Sequence, residues 1–438
     1  MPEVDYRKKA QAVQALFTQI SQRAGRSSGF VERHSKMSAE QFVQTMILGC
    51  LQKAEMSLSE LAQTSTKLGV GISGPGLDQR IDAEAVILLQ TILQEGLQQL
   101  SEKDRLDIAV LRHFTGVYLL DSTQMELPAA LADCFPGSGG SASPAALKVQ
   151  VLFEYLSSTL KAIELGPAIQ PDQNCRLHLQ HTQAGALHVF DLGYFHQQVL
   201  AELDRRGAFF VTRLDYRTGL FSEEDPTLRL ELLSLLRGMH AEQLELPLRI
   251  GCSARLPVRA LFVRLPPAVV EERRRKVIAR MRAKGKTPSQ DYLEMLAWNF
   301  FITNVPAERL SFAHVLLLYR LRWQIELVFK LWKSEAHLDR LGPWRKERLL
   351  VQLYARLIGL VLFYALSAPF RWLAHHELSL TKAFRSFHAK VPAFLRAIHA
   401  GWHAFPAVLK RLAARWLRFD RKTHRCKSPS TLELLLDA

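Results

Sequence analysis

The sequence predicts an α/β protein: a mixed five-stranded sheet flanked by helices, interrupted by a β-containing insertion, with helical regions at both ends. Three observations predict it. Residues 38–105 and the stretch from Ser311 onward carry helical signals. Residues 108–214 run through three strands, a fourth strand, a helix and a fifth strand. Residues 216–296 break that order with two more strands and a charged helix. Elements in this succession suit a sheet covered by helices on both faces.

The bulk properties set the frame. At 438 residues and 48% hydrophobic, the chain suits two to four domains of about 100–200 residues each. Lys and Arg outnumber Asp and Glu by 57 to 42, and the pI near 9.7 fits a polyanionic partner. The excess is local: Arg345 to Lys427 holds 17 basic residues against Glu347, Glu377 and Asp420, while residues 1–105 hold 12 of each sign. Cys50, Cys134, Cys175, Cys252 and Cys426 never form a Cys-x-x-Cys pair, which argues against a zinc site and a disulfide framework and for reduced thiols. The opening MPEVDYRKKAQAVQ has no apolar signal core, so a cytoplasmic location is expected. Leu357 to Phe370 is the most apolar run. At about 14 residues it is too short to span a bilayer and is expected to be a buried helix, so no membrane partner is expected.

The elements follow in order. Ser38 to Gln41 and Ser57 to Glu60 are capping-box patterns that start helices. Ser57–Thr64, a glycine-rich connection over Gly69–Gly76, and Leu77–Leu100 loosely resemble a helix-turn-helix, with a plain helical bundle as the other reading. Gly116–Asp121, Leu147–Phe153 and Thr159–Leu165 are predicted strands, the first two joined by the Gly/Ser/Pro-rich loop Cys134–Pro144. Ala186–Phe190, a helix from His196 to Arg206 and Ala208–Leu214 make a strand-helix-strand unit. The insertion holds strands Leu248–Cys252 and Val258–Leu265, then a basic helix, with Thr287-Pro288 opening the next helix. Pro392, Pro406 and Pro429 are expected to set breaks in the helical tail.

Asp121 and Asp191 each end an apolar strand run, where a carboxylate emerges from a buried sheet. Either one alone equally suits a cap or turn. The segment Tyr319 to Lys333 (YRLRWQIELVFKLWK) is more specific. At about 100° per residue, Tyr319, Arg322, Glu326 and Lys333 fall within a stripe of roughly 60° on one helix face, with Leu321, Ile325 and Val328 on another. Periodicity alone also allows a solvated face with an Arg322–Glu326 pair.

The spacing Y-x2-R-x3-E-x6-K, preceded by Asp121-Ser-Thr and Asp191-Leu-Gly-Tyr-Phe, resembles the DDE transposases of bacterial insertion sequences, specifically the insertion-sequence family four. The likeness runs from about residue 45 to 370. It implies an RNase H-like core in which Asp121, Asp191 and Glu326 are catalytic and hold two Mg²⁺ ions, with Mn²⁺ as a substitute. Hard divalent ions suit carboxylate oxygens, and two of them can activate the attacking oxygen and stabilise the leaving one. The resemblance implies DNA contacts by Tyr319, Arg322 and Lys333, whose donors suit phosphate, or alternatively simple neutralisation of the carboxylates. It also implies that Trp298 stacks on a flipped base, against the alternative of a core tryptophan. Trp323 and Trp332 are expected to pack. Leu192 departs from the family pattern, where a basic residue commonly stands. Arg273–Lys276 with Arg280, Arg282, Lys284 and Lys286 is a candidate DNA grip or a solvated helix.

The expected organisation is a helical N-terminal region over 1–105 for DNA-end recognition, a catalytic core over 106–215 and 297–345 split by an insertion over 216–296, and a basic helical region over 346–438. The expected function is cut-and-paste transposition in a bacterial cytoplasm, close to the nucleoid. Its partners are double-stranded DNA, as element ends and target, and a second copy as a homodimer on DNA. The alternatives are a nuclease of the same fold without strand transfer and a non-catalytic DNA-binding regulator.

Overall fold

A computed structural model describes residues 4–31, 36–101, 105–139, 143–238, 240–373, 376–422 and 431–437. Cys426, Pro429 and residues 140–142 of the Cys134–Pro144 loop lie outside them. The chain forms two compact units. The first comprises Met1–Leu106, Ser122–Gln170 and Gln324–Ser428, and the second Asp107–Asp121, Pro171–Trp323 and Pro429–Ala438.

The strands are β1 (Gly116–Leu127), β2 (Ala145–Glu154), β3 (Thr159–Pro167), β4 (Ala186–Phe190), β5 (Phe209–Arg213), β6 (Leu220–Ser222), β7 (Arg229–Leu230), β8 (Gln243–Ile250), β9 (Leu256–Arg264) and β10 (Trp298–Thr303). Their order is β3-β2-β1-β4-β5-β10-β9-β8-β6-β7. β1 belongs to both units. In the second unit Gly116–Leu120 pairs in parallel with all of β4, and β4 pairs in parallel with β5. In the first unit β2 and β3 form an antiparallel hairpin. The succession β3-β2-β1-β4-β5 is the predicted mixed five-stranded sheet.

The insertion does more than interrupt that sheet. β10 pairs antiparallel with β5 and with β9, and β8, β6 and β7 carry the same sheet to ten strands. Left bare, β5 would present a row of unpaired amides. β10 covers it, and Val258, Ala260, Leu261 and Phe262 of β9 are buried behind.

The first unit is built around the 26-residue helix Lys346–Arg371, packed by the Ala83–Gln99 and Ala39–Gln52 helices and by β3. Gly359 allows the close approach: a Cβ there would lie 2.8 Å from Leu51 Cδ2. This helix is longer than the run Leu357–Phe370 predicts, and by length and composition it could cross a membrane. Its apolar window is wholly buried by its neighbours, so packing, rather than shortness, makes it a core helix.

Local signals hold with some shifts. Both capping boxes form, with Ser38 Oγ accepting from Gln41 N at 3.2 Å and Ser57 Oγ from Glu60 N at 3.2 Å. Part of the expected Gly69–Gly76 connection is itself a helical turn, Gly74–Asp78, because Ser73 caps it and Pro75 stands in its first turn. The second helix of the insertion starts at Gln290 with Ser289 as its cap, instead of at Thr287-Pro288. Pro392 and Pro406 occupy first turns, where a missing N–H costs nothing. The tail is not wholly helical, since Trp372–Leu373 and His376–Glu377 pair as a short ribbon.

Candidate active site

The second unit sets two carboxylates side by side. Leu120 of β1 is in register with Phe190 of β4, so Asp121, midway along β1 where its pairing with β4 stops, and Asp191, just past the carboxyl end of β4, emerge next to the same registered pair. Adjacent strands lie about 4.8 Å apart, and the carboxyl ends of such strands are where open α/β sheets bind ligands. Leu119, Leu120, Val189 and Phe190 are fully buried, so the apolar runs anchor the strands and the aspartates stand where the core ends.

The Phe312–Leu321 helix covers this end. Ser311 caps it, and Val315, Leu318 and Leu321 are buried as it packs on β4 and β5. Tyr319 thereby donates its hydroxyl to Asp191 Oδ1 at 2.7 Å, and its ring meets Phe301 of β10 edge-on at 4.9 Å. Arg322 Nη1 lies 3.1 Å from Asp121 Oδ2, with both side chains about four-fifths buried. Burial pushes the Asp191 carboxyl up, but the Tyr319 hydroxyl, the Leu192 amide and the charges of Arg322 and Arg213 outweigh it and hold the group below its ordinary range. Burial first, then the Asp191 carboxylate, raises the Tyr319 phenol, so this hydroxyl stays a donor.

The predicted single helix from Tyr319 to Lys333 is two. The first ends at Leu321, Arg322 closes a tighter turn by donating its amide to Tyr319 O at 3.2 Å, and a second helix runs Trp323–Ser334. Glu326 lies in the first turn of that second helix, in the first compact unit, where a carboxylate suits the helix dipole. Lys333, in the same unit, donates to the carbonyl of Gln124 on β1 at 2.8 Å. Of the predicted residues, the second unit therefore gathers Asp121, Asp191, Tyr319 and Arg322. Here Tyr319 and Arg322 engage the carboxylates themselves, which was the alternative reading.

Trp298 opens β10 and is only 6% exposed, with the Arg264 guanidinium 5.6 Å from its ring. In this conformation it packs as a core tryptophan. Trp332 is fully buried as expected, but Trp323 is 59% exposed. That expectation is corrected because the helix break at Arg322 leaves Trp323 starting a new helix, outside the apolar face.

One group escaped the sequence reading. Val189 of β4 pairs with Val211 of β5, which puts Arg213 level with Asp191. Arg213 and Arg273 both donate to Asn299 Oδ1, at 3.5 and 3.1 Å. Burial, then the like charge of Arg213, depresses the Arg273 guanidinium. A charged residue closing the apolar run of β5 was the available signal. Arg273 is thus part of a fixed cluster, whereas Arg275, Lys276, Arg280, Arg282, Lys284 and Lys286 are exposed.

Among the described residues no group of three or more His, Cys, Asp or Glu side chains is clustered as for a metal ion. The donor chemistry still fits one: two neighbouring carboxylates are hard oxygen ligands of the kind Mg²⁺ prefers.

Comparison with known proteins agrees with the motifs. Residues 112–362 match the family model described as Transposase DDE domain. The transposase for insertion sequence element IS231B of Bacillus thuringiensis subsp. berliner is 27% identical over 430 residues, covering 93% of this chain and 90% of that protein. The transposase for insertion sequence element IS1151 of Clostridium perfringens is 26% identical over 436 residues, covering 94% and 92%. A solved piggyBac transposase synaptic complex with hairpin DNA aligns at 9% identity with a TM-score of 0.47, covering 97% of this chain and 86% of that one. Since the family model spans more than half of its length, the chain belongs to the DDE transposase domain family.

Proposed function

We propose that this protein catalyses metal-dependent DNA strand cleavage and transfer in cut-and-paste transposition of an insertion sequence. The observation that carries it is the placement of Asp121 and Asp191 directly after the registered Leu120–Phe190 pair of parallel β1 and β4, inside the stretch that matches the family model. Glu326 is assigned as the third catalytic carboxylate on its motif position, four residues after Arg322. Family membership implies divalent metal, and the finer proposal is two Mg²⁺ ions, replaceable by Mn²⁺, held by Asp121, Asp191 and Glu326. When bound, such ions activate an attacking oxygen and stabilise a leaving one.

The chain's own residues do the rest. Tyr319 fixes the rotamer of Asp191 through its hydroxyl. Arg322 pairs with Asp121, and its guanidinium would be available to a DNA phosphate if a bound cation balanced that carboxylate instead. Lys333 supplies a second phosphate contact, and Arg213 with Arg273 a third. Trp298 serves as a base-stacking platform once Arg264 moves from its face. The partners are double-stranded element ends and target DNA, engaged as a homodimer in the bacterial cytoplasm. Residues 1–105 recognise the element end.

The test is Mg²⁺-dependent cutting and joining of DNA carrying the element's own ends. Asp121→Ala, Asp191→Ala and Glu326→Gln are each expected to lose on the order of a thousandfold in cleavage while binding is retained. Near-normal cutting by any of them removes that residue from the site. Efficient cutting without joined product identifies a nuclease instead.

A further inference from the structure

We propose that the exposed face of the Phe405–Phe419 helix is a docking surface for the phosphate backbone of duplex DNA, gripped without regard to sequence. The proposal rests on the reading of this protein as a DNA-processing enzyme. The helix buries Phe405, Val408, Leu409, Leu412, Ala413 and Trp416 against its unit. Its other side exposes Ala407, Lys410, Arg411, Ala414, Arg415 and Arg418. At 100° per residue these fall within a stripe about 140° wide.

The charge on that stripe is of one sign. Between Glu377 and Asp420 the sequence contains no acidic residue at all. Arg415 is tethered, donating to Ser386 Oγ at 2.7 Å and lying 4.0 Å from the buried Asp420 carboxylate. Lys410, Arg411 and Arg418 form no ion pair among the described residues. The Tyr6–Ala15 helix packs on this helix and exposes Arg7 and Lys8 together with its capping Asp5. Such an unneutralised row costs self-repulsion, which an external polyanion relieves.

The dimensions and composition favour DNA. Lys410 to Arg418 rises about 12 Å, the axial length of about three to four phosphates on one strand. Ala407 and Ala414 keep the stripe shallow, so a broad backbone can approach. A bilayer is disfavoured because the apolar side of the helix is already used in the core. A protein partner would need a buried apolar anchor, and Phe419, 58% exposed with Arg418 5.1 Å from its ring, stands alone at the end.

The experiment measures binding of the full chain to a random-sequence duplex as a function of salt. It compares wild type, the triple variant Lys410→Ala, Arg411→Ala, Arg418→Ala, and a charge-keeping control, Lys410→Arg, Arg411→Lys, Arg418→Lys. The alanine variant is expected to show a slope of log affinity against log salt shallower by about 2–3, at about 0.9 per phosphate contact, with the control close to wild type. An unchanged slope and affinity overturn the proposal. So does an unchanged slope with altered sedimentation, which assigns the face to a second copy of the chain. If wild type cuts element-end DNA and the slopes coincide, only this proposal falls; if wild type neither binds nor cuts DNA, the enzyme reading falls with it.

Discussion

Asp191 is held ionised against its own burial, and one hydroxyl does much of that work. Tyr319→Phe removes the donor and keeps the ring that packs on Phe301. Because the hydroxyl favours the carboxylate form, its loss raises the Asp191 pKa, so the acid limb of the cleavage–pH profile should move to higher pH. If Asp191 holds metal as proposed, cleavage at neutral pH should fall by about 10- to 100-fold. An unmoved acid limb with weaker DNA binding would instead mean that Tyr319 works on phosphate. Arg213 belongs to the same scale: it is level with Asp191 only because β5 is in register with β4.

At the scale of elements, caps and breaks decide where side chains go. Leu321 ends one helix and Trp323 begins another, so Tyr319 and Glu326 belong to different helices and Trp323 is exposed at the start of the second. In the N-terminal region the Leu58–Lys67 helix starts on a reciprocal cap, where Glu60 accepts from Ser57 N at 2.8 Å and from Lys53 Nζ at 2.7 Å. The Lys53 contact, then the Ser57 contacts, lower the Glu60 carboxyl to about 2. Ser57→Ala should destabilise the protein by about 1 kcal/mol in chemical denaturation. No measurable change would show that packing of the buried Leu61 holds this helix without its cap.

Across the whole molecule, acid should be the weak direction. In the second unit His178 and His188 are almost fully buried and have ring nitrogens without hydrogen-bond partners among the described residues. Burial, then Arg176 and His196, lowers His178 to about 4; burial, then His178, lowers His188 to about 3. Both rings are therefore neutral when folded, while in the unfolded chain they take up protons below about pH 6.5. Their stability contribution is complete above pH 6.5 and falls as pH drops from there towards 4 and then 3, by about 1.4 kcal/mol per ring per pH unit. Thermal unfolding between pH 7.5 and 5 should show a falling midpoint, with a shallower fall in His178→Leu. Equal slopes in both proteins would place the acid sensitivity elsewhere.

Much of this was legible in the sequence because it is local. Short apolar or alternating runs marked β1 to β5, Ser-x-x-Gln and Ser-x-x-Glu marked helix starts, and aspartates closing apolar runs, with the Y-x2-R-x3-E-x6-K spacing, named the candidate site residues. Three things needed the tertiary structure. Register aligned Asp121, Asp191 and Arg213, since pairing between distant strands leaves no trace in either strand alone. Edge pairing joined the insertion to the sheet, because backbone amides carry no sequence signal. Finally, packing decided which tryptophan is buried, Trp298 or Trp323, since burial depends on what distant segments bring to each face.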